Sequence, residues 1–328
     1  MRKTLILSAI ALAALASCTK DDVVSDQREE QNSNNVKYSE IVFSVAENPT
    51  TKATSVTDAA IGTQEGDIQI LVFSKDNLIA YGKNAPSGKS VSMSVRNGAV
   101  DCYALINGPD MSGVSTKGAL LAKTVSLTDN STTKMLMLGS KSQTISGNTT
   151  VAIPVKRFLA KVEIDRIDAA MATPALKNQD LTINDITLLN VVGTTSYSFA
   201  AGSTPAFNKG AFQTSEADAL THDNVAAKIQ TGGKVTPHTT PHYFYCCPSS
   251  ATSTSSTKLS IKATLGSTVY YYTVDVPQPK ENTLYKITNL KITGPGTDKP
   301  NEIVSKSSIS FTITVTDWAT GFSKEVVY

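Results

Sequence analysis

Residues that carry out chemistry are scarce in this sequence. It has three histidines, His222, His238 and His242, and none belongs to a recognisable metal-binding motif. No G-x-S-x-G, P-loop or dinucleotide-binding glycine signature occurs. Asp and Glu are sparse and scattered, so a carboxylate pair for glycoside hydrolysis would have to come from distant strands. These absences speak against an enzyme, and no cofactor or metal is expected. Cysteine is limited to Cys18, Cys102, Cys246 and Cys247. Setting Cys18 aside leaves an odd number, with no paired disulfide framework. Cys246 and Cys247 are adjacent, and neighbours on a strand point to opposite faces. They read as small buried side chains rather than a metal or redox pair. Charge of one sign is also lacking: 30 Lys and Arg stand against 28 Asp and Glu, a net charge of +2. That balance excludes nucleic acid as a partner.

Long apolar runs are missing as well. Leu5 to Ala16 is apolar over 12 residues, short of the roughly 20 a membrane-spanning helix needs. Arg2 and Lys3 precede it, and small residues follow, which is the layout of an export signal. The run ends in Leu15-Ala16-Ser17-Cys18, similar to a bacterial lipobox. Residues 1–17 therefore read as a lipoprotein signal peptide, with Cys18 as the lipidated residue that anchors the precursor to a membrane.

From Thr19 to Lys37 the chain is polar and without period, a tether. YSEIVFSVA follows, with Ile41, Phe43 and Val45 on one face of a strand. ENPTTKATS after it reads as an exposed loop. Almost everything beyond is β. Segments such as IQILVF, VSMSV, VDCYALIN, LTINDITLL, HYFYC and KLSIKATL alternate or run apolar, with turn residues about every ten positions. Only Lys117–Val125 and Asn224–Ile229 read as short helical turns. From Val151 to Ile164 one apolar alternation is broken at Lys156-Arg157 and then resumes. This is expected where a chain leaves one sandwich for the next, with Arg157 and Lys161 structural. The fold expected is all-β, with two β-sandwich domains in tandem. The first spans residues 53–157, after a propeptide of 18–52, and the second spans 158–328.

These features come in a telling order: lipobox, tether, one strand, a basic site, ILVFSKDNLIAYG, CYALINGPD, MLMLG, VKRFLAKVEI and ITVTDW. Together they resemble the fimbrillin family of Bacteroidia, the FimA-like subunits of type V pili. The match to its central V-x-R-x-x-A-K-V segment is carried by Val155, Arg157, Ala160, Lys161 and Val162. The resemblance implies transthyretin-like sandwiches exported as outer-membrane lipoproteins. It implies that a trypsin-like or arginine-specific protease removes the first strand. A C-terminal strand of another copy, or of a related subunit, then fills the groove and builds an extracellular fimbria that supports adhesion.

The residues support the same logic. A sandwich that loses a strand exposes an apolar groove and unpaired backbone groups, a template for another chain. Ile309, Phe311, Ile313 and Val315 repeat the I-x-F-x-[V/I] pattern of the strand to be lost. They would serve as the donor, or else close their own domain and leave the tail, with Trp318, Phe322, Val326 and Tyr328, as the donor. Head-to-tail contacts of this kind make filaments.

Two sites are candidates for the cut. Arg28 suits an arginine-specific protease, but a cut there leaves the strand attached. Lys52 lies just beyond the strand, in the exposed loop, and a cut there makes Ala53 the mature terminus. Residues 1–52 hold six Lys and Arg and seven Asp and Glu, leaving 24 against 21, or +3, in such a product. Two other readings remain. One is a tip or accessory subunit that accepts a strand but donates none. The other is a monomeric surface lipoprotein that binds glycan or protein through Tyr243-Phe244-Tyr245 or Tyr270-Tyr271-Tyr272.

Overall fold

A computed structural model of the chain describes residues 36–47, 68–84, 90–130, 135–198, 205–207, 222–249, 256–317 and 323–327. For 47, 205–207, 222, 223 and 323–327 it describes the backbone alone. The first strands are β1 (Tyr38–Glu47), β2 (Ile68–Ser74), β3 (Asn77–Asn84), β4 (Ser90–Arg96) and β5 (Gly98–Ile106). A short helix, α1 (Lys117–Leu121), precedes β6 (Thr124–Ser126), β7 (Met137–Ile145) and β8 (Thr149–Arg157). Thr116 caps α1, its side chain accepting from the Ala119 N–H. The helix falls within the Lys117–Val125 segment where sequence placed a helical turn.

All but β6 join in a seven-stranded sheet, in the order β3-β2-β5-β7-β8-β1-β4. The sheet curls until its two edges meet, with Gly82 of β3 against Val91 and Met93 of β4. Inside lies a core with Ile70, Val72, Cys102, Ala104, Val151 and Ile153. β7 and β8 approach closely at Gly139, where any Cβ would run into the Pro154 carbonyl.

The second half opens with β9 (Ala160–Ile164) and β10 (Ile167–Ala169). Next come α2 (Pro174–Lys177), β11 (Leu181–Leu189), β12 (Val191–Val192), β13 (Thr194–Ser196) and β14 (Pro205–Phe207). The remainder are β15 (His222–Thr231), β16 (Lys234–Val235), β17 (His242–Cys246), β18 (Lys258–Leu265), β19 (Thr268–Asp275), β20 (Thr283–Ile292), β21 (Ile309–Asp317) and β22 (Ser323–Val327). One sheet runs β17-β9-β20-β21-β22, with β10 also paired to β20. The other runs β16-β15-β11-β18-β19. The two enclose a shared core that includes Val162, Ile164, Tyr285 and Ile287 from one sheet and Ile183, Ile186, Leu259 and Ile261 from the other. The fold is thus all-β, with two sandwich halves, as the alternation pattern required.

The halves are stitched together. β13 pairs with β6, Thr195 opposite Val125. Tyr197, just after β13, packs edge-on against Phe158 with ring centroids 5.2 Å apart. Arg157 ends β8 at 3% exposure, and its N–H points to the Asn282 side chain at 3.4 Å. From Lys37 onward the described residues form one compact unit.

One local expectation fails. Asn224–Ile229 is not a helical turn but part of β15, laddered to β11 with a bulge where Ala226 takes φ +46°. Ala and Lys are good helix formers, but over so few residues propensity is a weak preference, and pairing with a buried strand outweighs it.

Candidate functional site

β1 is the strand that sequence marked for removal, and it fills a slot between two strands that do not otherwise pair. On one side it runs parallel to β8, from Ile41 opposite Thr149 to Glu47 opposite Val155. On the other it runs antiparallel to β4, from Tyr38 opposite Arg96 to Ser44 opposite Ser90. Among the described residues β4 has no other ladder partner. The alternation read from sequence holds: Ile41 and Phe43 are fully buried, while Val42 points out at 38% exposure. Val45, at the far end, is half-buried. Ile41 and Phe43 pack with Val91, Val95, Val151, Ile153 and Val155. Burying two such side chains contributes about 3–6 kcal/mol.

Three polar contacts gather at the N-terminal end of the slot. Ser39, 4% exposed, donates its hydroxyl to Asn97 Oδ1 at 2.6 Å. The Asn97 N–H donates to the Lys37 carbonyl at 2.9 Å. The Glu40 N–H donates to Asn148 Oδ1 at 2.9 Å. Asn97 lies in the turn from β4 to β5, and Asn148 in the turn from β7 to β8. Sequence reasoning gave neither asparagine a part in holding β1. The only signals were Asn97-Gly98 and Gly147-Asn148, which read as turn chemistry.

The C-terminal candidates lie in the other half. β21 is bonded on both sides, to β20 and to β22. Ile309, Phe311 and Ile313 are buried in the second core, and Val315 packs against it. Among the described residues β22 is the edge strand, bonded to β21 alone, with Val326 opposite Ile313. The side chain of Val326 is not described, and Trp318, Phe322 and Tyr328 lie outside the described residues, as do Cys18, Arg28, Lys52 and Ala53.

The other side chains singled out by sequence serve packing. Tyr272, Phe244 and Tyr245 are buried, and Tyr243, Tyr270 and Tyr271 are partly so. Neither aromatic triplet forms an open platform. Cys102, Cys246 and Cys247 are buried and unbridged. Burial pushes the thiols of Cys102 and Cys247 up to about 12 and raises Cys246 as well, so all three stay protonated at neutral pH. Among the described residues no group of three or more His, Cys, Asp or Glu is placed to hold a metal.

No protein-family model matches the chain, and no curated protein matches its sequence. Solved structures do match. A candidate cell adhesion protein from Bacteroides eggerthii aligns with a TM-score of 0.65 at 20% identity, over 87% of this chain and 97% of that one. A second such protein, from Parabacteroides distasonis, gives 0.60 at 17% identity over 87% and 98%. The fimbrilin of Porphyromonas gingivalis gives 0.61 at 17% identity over 86% and 98%. Across nearly the whole length of each, this chain has the fold of a fimbrilin and of these Bacteroidales cell adhesion proteins.

Proposed function

We propose that this chain is a polymerising subunit of a cell-surface fimbria that supports adhesion, with no catalytic role. The observation that carries this reading is β1. It is the first strand of the fold, set between β8 and β4 with two buried anchors, and the sequence after it, ENPTTKATS, reads as a loop open to proteolysis. A cut after Lys52 leaves the strand held only by its ladders, its apolar contacts and its hydrogen bonds to Asn97 and Asn148, with Ala53 as the mature terminus. A strand from the C-terminal segment 309–328 of another copy, or of a related subunit, then takes its place. β22, bonded on one side only among the described residues, leaves its own sheet first. The precursor is an outer-membrane lipoprotein anchored through Cys18, and a trypsin-like or arginine-specific protease makes the cut.

N-terminal sequencing of assembled fibres tests the reading. Ala53 is expected. A terminus at Glu29, after Arg28, or one still at Cys18, would refute the strand-removal step. Lys52→Ala should block polymerisation and leave the precursor folded.

A further inference from the structure

We infer that Tyr328, the last residue, latches β22 to its own half by seating its ring in an apolar cavity beside the start of β21. The consequence for assembly rests on the strand-exchange reading above, and it deepens that reading from which strand is donated to what holds it back before donation. A cavity of about 260 Å³ lies between β19 and β21, lined by Val274, Ile303, Val304, Ile309 and Phe311, with Asp275 and Lys306 beside them. Its wall is fixed against β19: Ile303 forms a parallel bridge with Thr273, and the Val304 N–H donates to the Thr273 carbonyl at 2.9 Å. Small-molecule sites run to about 300–1,000 Å³, so this one suits a single side chain. Ile303, though apolar, is 44% exposed, and an apolar cover over it is favourable.

Strand register selects the occupant. β22 runs antiparallel to β21, with Val326 opposite Ile313 and Val327 opposite Thr312. One residue follows Val327, and the same register carries it opposite Phe311. Directly opposite residues of an antiparallel pair share a face, and Phe311 lines the cavity. The ring of Tyr328 enters there, and its terminal carboxylate, on the β21 side, faces Lys306. Asp275 lies on β19 and accepts from the Ser256 hydroxyl at 2.7 Å. The other aromatic residues of the tail belong to the far end of β21. Trp318 follows Asp317, which is opposite Thr283, and Phe322 precedes Ser323, which is opposite Thr316. At about 3.4 Å per residue that end is about 27 Å from Ile309. Residues 250–255 lead to Ser256 near the cavity, but they are Ser, Ala and Thr only and cannot fill it. β22 has five residues, so one seated ring is a large part of what keeps it in place until exchange begins.

Hydrogen exchange in the intact chain tests the latch. Tyr328→Ala should speed exchange of the residue 323–327 amides about tenfold, and Tyr328→Phe should leave it unchanged. Unchanged exchange in Tyr328→Ala overturns the latch. Methyl NMR tests the seat. Loss of the ring in Tyr328→Ala should shift the methyl signals of Val274, Val304 and Ile309. Signals that stay in place overturn the cavity as the seat and mean that another segment covers it. Lys306→Glu should speed the same exchange about threefold at low salt and less at about 1 M salt. No change there overturns the ion pair. None of these measurements needs the cut after Lys52. Fibres that fail to form after the cut refute strand exchange and leave the latch standing, and a failed latch leaves strand exchange standing.

Discussion

The Nε2 atoms of His238 and His242 lie 2.7 Å apart, with the rings stacked at a centroid distance of 4.9 Å. One imidazole must donate and the other accept, which a neutral pair does through complementary tautomers. Burial holds both rings below their ordinary value. As pH falls, the unfolded chain takes up protons before the folded one. The stability from keeping the pair neutral is complete above about pH 6.5 and is lost below it. The double substitution His238→Gln with His242→Leu should flatten the dependence of melting temperature on pH between about 6.5 and 5. An unchanged acid limb would show that other groups cause it.

Lys161 is fully buried in β9, where its ammonium lies 3.5 Å from Glu163 and 4.1 Å from the centre of the Tyr243 ring. Glu163 also meets Lys286 at 3.1 Å. Glu163→Leu removes the carboxylate facing a buried cation and should cost about 3–5 kcal/mol in urea unfolding. Lys161→Met should cost less, because Glu163 keeps Lys286 and the methionine fills the space. If the ranking were reversed, the burial of Lys161 would owe little to Glu163.

Tyr197 packs where the two halves meet, at 1% exposure, and among the described residues its hydroxyl has no hydrogen-bond partner. Tyr197→Phe removes a desolvated polar group and keeps the ring against Phe158. It should leave stability unchanged or raise it by about 1 kcal/mol, whereas Tyr197→Ala should lower it by about 3–5 kcal/mol. Chemical denaturation of both variants checks the pair. Equal losses would mean that the hydroxyl carries the contact.

Cys18 is expected to carry the lipid of the precursor. Cys18→Ser should leave the chain unlipidated and missing from the outer-membrane fraction. Its normal recovery there would exclude the lipobox reading.

Sequence alone determined the class of the fold and much of its local order. The period of two in Ile41, Phe43 and Val45 gave the inward face of β1 before any neighbour was known. The break at Lys156-Arg157 coincides with the end of β8, where one sheet gives way to the next. Those features are local, written in the spacing of side chains along a few residues. Tertiary structure decided what lies beside what. Alternation says which face of a strand is buried but not which strands flank it, so the parallel pairing of β1 with β8 could not be read from either segment. The same holds for β21, which looks like a donor by pattern yet is bonded on both sides. β15 was misread because a ladder partner overrode a weak helical preference. Asn97 and Asn148 looked like ordinary turn residues because what they grip lies 58 and 108 residues away in sequence. A hydrogen bond of that span leaves no periodic trace in the chain, and only folding brings its two ends together.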